Sequence, residues 1–208
     1  MEQIHNFDQK PVSLIVGVTG MAGLSLAEAL KSPTTLNGPW KVYGSARHSK
    51  PTWFPSAAAV DHYITFDAAE HTDTFLKSAS ASRLSYITLQ TSTKQYMGPV
   101  FDLNHSSQLV PHDPPFHEDL PRLPYPNFYY ALEDLVASHV PSLSYSVHRS
   151  SIIIGTSPRS VYNTLLTLAV YATICRHEVP LFRYPGSQYT WEHFCDMSYA
   201  RVLVQQHI

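Results

Sequence analysis

VSLIVGVTGMAGLSLAEAL, Val12–Leu30, decides the fold. It opens with an apolar run (Val12, Leu14, Ile15, Val16, Val18) suited to a strand buried on both faces and too short for a membrane span. It turns through Gly17, Gly20 and Gly23 and continues into a helical pattern with Leu24, Ala27 and Leu30 on one side. Lys31-Ser32-Pro33 ends that pattern, because proline cannot continue a helix. Strand, glycine turn and helix together make a cradle for a diphosphate: glycines admit the anion to the backbone, and the helix N-terminus offers free N–H groups. The competing account is a plain tight turn between strand and helix. The spacing is G-x-x-G-x-x-G rather than G-x-G-x-x-G, with Thr19 before the second glycine.

The rest of the composition narrows the function. With 208 residues the chain is sized for one α/β domain. A formal net charge of −2 gives no electrostatic case for nucleic acid or an anionic membrane. Two cysteines, Cys175 and Cys195, do not make a disulfide framework, which points to a reducing compartment. The opening MEQIHNFDQK has neither a basic n-region nor an apolar h-region, so a cytoplasmic location is expected. Leu165–Cys175 is about half a membrane span and reads as a buried helix. Twelve histidines form no H-E-x-x-H, and His105, His112 and His117 fall in a polar loop, so no metal site is expected. Without a G-x-S-x-G elbow, a serine hydrolase has no support.

Further along, Trp40–Ala46 reads as a second strand ending in Arg47-His48. In a dinucleotide fold that strand end meets the adenosine ribose, where an acid selects NAD. A cation with no carboxylate nearby suits a 2′-phosphate instead; the alternative is an arginine that merely solvates the strand end. His62–Phe66 is a third strand closing on Asp67, which suits either the adenine amino group or the N-cap of a helix over Ala69–Ser78. Leu84–Gln90 is a strand followed by Thr91-Ser92-Thr93-Lys94, placing Lys94 at its carboxyl end. Six prolines in residues 111–127 exclude a regular helix there. Phe128–His139 is an amphipathic helix with Tyr129 and Tyr130 in its first turn, Ser144–Ser150 a strand, and Ser160–Cys175 a long helix with an apolar face.

GVTGMAGLSLAE, KVYGSAR, LQTSTKQYMGP, HDPPFHEDLPRLPYPNFYYALED, SVHRSSIIIGTSP and VYATICRHE, in that order, resemble the progesterone 5β-reductase and iridoid synthase group of atypical short-chain dehydrogenases. The resemblance runs from about Val12 to the C-terminus. It implies NADPH-dependent reduction of the carbon–carbon double bond of an enone or enal, a small terpenoid, steroid-like or polyketide molecule. It also implies a Rossmann-like doubly wound parallel sheet. Matched residue by residue, the catalytic lysine falls on Lys94 and the catalytic tyrosine on Tyr130. Thr19, Gly20 and Met21, with Gly17 and Gly23, would face the diphosphate, and Arg47 and His48 the 2′-phosphate. Asp67 and Ala68 would sit at the adenine, and Gln90 and Ile153 near the nicotinamide, with Tyr130 also reaching the cofactor.

The departures from the family pattern are specific. TG-x-KHY becomes Thr91-Ser92-Thr93-Lys94-Gln95-Tyr96, and HRP becomes His148-Arg149-Ser150. Only 22 residues separate Asp67 from Gln90, where the family places a strand and a helix. The expectation is therefore a single NADP-binding domain over residues 1–208 that lacks one central strand and the C-terminal substrate-covering part. The alternative to a reductase is a nucleotide-binding protein without turnover, or a non-functional shortened paralogue. Self-association through the open sheet and the uncovered helix is expected.

Overall fold

The computed structural model describes residues 10–67, 70, 84–98, 110–157, 162–178, 181–184, 186–192 and 194–208. Seven strands run as β1 (Val12–Val16), β2 (Lys41–Ala46), β3 (His62–Thr65), β4 (Tyr86–Ser92), β5 (Ser144–Ser150), β6 (Ile152–Ile154) and β7 (Met197–Tyr199) among the described residues. The described helices are α1 (Met21–Lys31), α2 (Ser56–Ala59), α3 (Lys94–Met97), α4 (Phe128–Ala137), α5 (Thr164–Glu178), α6 (Gln188–Glu192) and α7 (Ala200–His207). The expected helix over Ala69–Ser78 lies outside the described residues. The chain divides into two compact units, Met1–Thr72 with Ile152–Ile208, and Asp73–Ser151.

In the first unit the β1-turn-α1-β2 segment forms as the residue pattern requires. Leu24, Ala27 and Leu30 are the buried stripe of α1, joined by Met21, and the helix stops at Lys31 with Ser32 as its C-cap. Leu24, Ala27 and Leu30 pack with Ile15, Val18, Val42, Phe54, Ala59 and Val60 into one apolar cluster. Each fully buried Leu, Ile or Val contributes about 1.5–3 kcal/mol. Val12 aligns with Lys41 and Val16 with Ser45 in a parallel ladder, and Tyr43 to Ala46 align with His62 to Thr65, giving the order β1-β2-β3. Parallel neighbours linked through helices are the mark of a doubly wound α/β sheet.

β1 differs from expectation in one respect. Ile15 is buried against α1, but Val12, Leu14 and Val16, which share the opposite face, are 61%, 47% and 45% exposed. Among the described residues β1 forms a ladder with β2 alone. Paired with β2 and packed through Ile15, β1 leaves its second apolar row about half exposed.

The same unit holds two features the residue pattern did not announce. Ile152–Ile154 is a strand of its own, parallel to Met197–Tyr199. Gly155, just after it, lets α1 and α7 close in: a Cβ there would stand 2.9 Å from Ala200 Cβ and 3.2 Å from Met21 Cγ. α5 starts at Thr164 rather than Ser160, and Cys175 is its one buried residue. Leu165, Leu166, Val170 and Ile174 are exposed, so the buried helix expected over Leu165–Cys175 is a surface helix.

In the second unit β4 and β5 pair in parallel from Tyr86–Ser144 to Ser92–Ser150. β5 spans Ser144–Ser150 as its sequence predicts, and α4 begins at Phe128 where the proline-rich segment ends. Asn127 caps α4, its side-chain oxygen accepting the Tyr129 N–H. No described helix is long and apolar enough to cross a membrane.

Candidate active site

The glycine loop of the first unit is built by backbone geometry. Gly17 has φ +84°, a left-handed conformation that an L side chain resists. Its N–H and that of Val18 both donate to the Ser45 carbonyl, at 2.8 and 3.0 Å, tying the loop to the end of β2. Gly20 N–H donates to the Gly17 carbonyl at 2.9 Å. Gly23 has no room for a side chain, since a Cβ would lie 2.3 Å from the Gly17 carbonyl oxygen. Gly20 is the N-cap of α1, with no side-chain cap and no acidic residue in the first turn. The α1 N-terminus thus carries no side-chain cap from Gly20 and no carboxylate of its own first turn to repel an anion. That arrangement fits a diphosphate. Thr19 is half-buried and Gly20 exposed at this end, whereas the Met21 side chain is buried against Gly155.

Arg47 and His48 follow β2 and are exposed. The Tyr63 hydroxyl donates to the His48 carbonyl at 3.0 Å, which holds the backbone at that strand end. Asp67 is half-buried two residues past β3, and Ala68 lies outside the described residues. Ile153 is half-buried in the middle of β6, opposite Ser198.

Lys94, Gln90 and Tyr130 belong to the second unit. The Gln90 amide donates to the carbonyls of Thr91 and His148 and to Ser150 Oγ, at 2.7 to 3.0 Å, so it locks the ends of β4 and β5 together. Lys94 opens α3, its N–H donating to Ser92 Oγ and its carbonyl accepting from the Asn127 side chain. Tyr130 arrives from α4: its hydroxyl donates to the Gln95 carbonyl at 2.9 Å and accepts the Leu123 N–H at 3.0 Å. The Tyr130 hydroxyl, 36 positions beyond Lys94 in sequence, thus reaches the backbone of the residue that follows Lys94.

What the residue pattern missed is the charged network holding α4. Arg149 grips Glu133 with two nitrogens, at 3.1 and 3.2 Å, and donates to the Tyr96 hydroxyl at 2.9 Å and the Glu118 carbonyl at 3.2 Å. Burial alone would lower the Arg149 pKa, but the bonds to Glu133 and Tyr96 outweigh it and raise it, so the guanidinium stays charged. Arg122 adds an ion pair to Asp134 at 2.7 Å and lies over the Tyr130 ring, 4.9 Å from its centre. Tyr96 is stacked on Phe116 at 4.7 Å, anchoring the proline-rich segment. Burial holds His148 below the usual histidine pKa. Among the described residues no group of three or more His, Cys, Asp or Glu is placed to hold a metal ion.

Comparison with known proteins adds descent to this geometry. The chain is 39% identical to (S)-8-oxocitronellyl enol synthase of Catharanthus roseus over 96% of its own length, and 36% identical to 3-oxo-Delta(4,5)-steroid 5-beta-reductase of Arabidopsis thaliana over 95%. It spans 60% of the length of each. The first alignment runs over 236 residues, more than the 208 of the chain, so the relative carries internal sequence with no counterpart here. No family model matches. Among solved structures, a UDP-N-acetylglucosamine 4-epimerase from Methanobrevibacter ruminantium matches with TM-score 0.62 and 14% identity, covering 95% of this chain and 71% of that one. ADP-L-glycero-D-manno-heptose-6-epimerase of Helicobacter pylori gives TM-score 0.52 at 14% identity, covering 99% and 74%. At that identity the likeness is one of fold.

Proposed function

The chain is a shorter homologue of the 8-oxocitronellyl enol synthases and the steroid 5β-reductase, and from that premise we propose that it is an NADPH-dependent reductase of the activated C=C bond of an enone or enal. The substrate class is a small terpenoid, steroid-like or polyketide molecule. The observation that carries the reading is the arrival of the Tyr130 hydroxyl at the Lys94–Gln95 turn, in a chain homologous to those enzymes over nearly its whole length.

NADPH, when bound, supplies the hydride that reaches the β-carbon of the enone. The diphosphate falls to the Gly17–Gly23 loop, and the 2′-phosphate to Arg47 with His48. Tyr130 donates to the carbonyl oxygen, where negative charge develops as the double bond is reduced. Its one proton now serves the Gln95 carbonyl, so the substrate oxygen takes the place of that acceptor. Lys94 holds the ribose and stabilises negative charge near the phenol oxygen.

A second reading, a nucleotide-binding protein without turnover, draws on the same hydroxyl being engaged by backbone on both sides and on the internal sequence present only in the relatives. Consumption of NADPH in the presence of enals and steroid-like enones separates the two. Turnover with NADPH in preference to NADH is expected. Tyr130→Phe should cut it on the order of a hundredfold, while Tyr129→Phe, about 100° around the helix, should have a small effect. A rise in melting temperature with NADPH and no turnover on any enone would favour the second reading. The exposed row of β1 and the exposed face of α5 support association between copies, which light scattering measures.

A further inference from the structure

Tyr130 of α4 is gripped by its hydroxyl and by its face. The hydroxyl contacts hold one end of the side chain and the helix backbone the other, leaving the turn of the ring about the axis between them to be set by what lies on its face. The face contact is the Arg122 guanidinium, 4.9 Å from the ring centre. Arg122 is itself anchored by the next turn of the same helix: Nη1 lies 2.7 Å from Asp134 Oδ1 and Nη2 3.6 Å from Glu133 Oε2. Residues 130, 133 and 134 are neighbours on one helical face, so a single planar cation spans ring and carboxylates together. Its neighbour Leu123 supplies the N–H bond to the Tyr130 hydroxyl, so two consecutive residues hold the same side chain.

We propose that Arg122 is a positioning residue for Tyr130, setting the direction of its hydroxyl by stacking on the ring while braced on Asp134 and Glu133. This rests on the reading of Tyr130 as the proton donor to the substrate oxygen. Arg122 is 40% exposed, and Glu133 keeps its two-nitrogen grip from Arg149 when Arg122 is removed. Its loss should therefore disturb the tyrosine far more than the fold. Lysine does not replace it, because a point ammonium pairs with Asp134 but lacks the flat face that covers the ring.

The test uses the full chain with 3-fluorotyrosine at position 130, as wild type, Arg122→Met and Arg122→Lys. Both variants should shift or broaden the fluorine resonance while melting within a few degrees of wild type. In unlabelled protein both should lower kcat on an enone by on the order of tenfold or more, with KM for NADPH unchanged. An unaltered resonance in Arg122→Met overturns the proposal, as does full restoration of resonance and kcat by lysine. A collapse of melting temperature in both variants also overturns it, making Arg122 a strut of the fold. If wild type turns over no enone while the resonance still responds to Arg122→Met and Arg122→Lys, the reductase reading fails and the positioning of Tyr130 by Arg122 stands.

Discussion

The glycine loop and the tyrosine turn solve the same problem, fixing the chain just past a strand end, by opposite means. The loop is held by absence: Gly17 takes a conformation side chains resist, Gly23 sits where a Cβ cannot, and an apolar cluster closes underneath. The turn is held by presence: Gln90, Asn127, Glu133, Arg122 and Arg149 tie α3, α4 and the β4–β5 ladder through polar contacts. The first arrangement depends on space and is indifferent to charge. The second depends on charge balance and tolerates changes of shape better than changes of ionisation.

That contrast breaks most visibly at Arg149. Replacing it with methionine leaves the Glu133 carboxylate, 10% exposed, with Arg122 as its cation partner among the described residues. Removing one partner of a buried pair costs about 3–5 kcal/mol, and urea unfolding should show a loss near the lower end. Replacing both residues, as Arg149→Met with Glu133→Leu, should recover most of it, because the orphaned charge is gone. A double variant no better than the single one would show that the network is not held by its charges.

In the loop the corresponding damage is steric. Gly23→Ala puts a methyl 2.3 Å from the Gly17 oxygen, so the turn must open. Overpacking of this kind costs about 1–3 kcal/mol, and the NADPH-induced rise in melting temperature should disappear with it. An alanine variant that still responds to NADPH would mean the loop is not the diphosphate site.

A smaller effect belongs to the Lys31–Asp61 ion pair of the first unit. Asp61 accepts from Lys31 Nζ at 2.8 Å and from the Val42 N–H at 2.7 Å, and these bonds, Lys31 first, hold its carboxyl below the usual aspartate pKa. Because the folded value is the lower one, its contribution is complete above the unfolded value and fades as pH falls through the folded value. The pair is partly exposed, so Asp61→Asn should cost about 1 kcal/mol or less at neutral pH and flatten the loss of stability below about pH 4. Equal acid sensitivity in wild type and variant would remove Asp61 from that account.

These two styles of construction also explain what could be read from residues alone. Leu24, Ala27 and Leu30 recur at helical spacing and were legible, as were the glycines that break the pattern and the strand at Ser144–Ser150. The Arg149–Glu133 and Arg122–Asp134 pairs join residues with no periodic relation, and β6 and β7 are three-residue strands far apart in the chain. Tyr130 and Lys94 stand out only through the family resemblance, and the Gln95 carbonyl that the hydroxyl touches is backbone, which no side-chain motif records. Composition misled at β1 and α5, because an apolar stretch states a preference for burial and says nothing of whether a neighbour is present to satisfy it.

The exposed character of α5 gives the molecule an internal clock. Cys175 is the single buried residue of that helix, and the other cysteine, Cys195, is exposed. A thiol reagent meets Cys195 directly but reaches Cys175 only in the moments when the helix lifts or unwinds. The two labelling rates, taken from one sample, convert the sparse packing of α5 into a frequency of local opening.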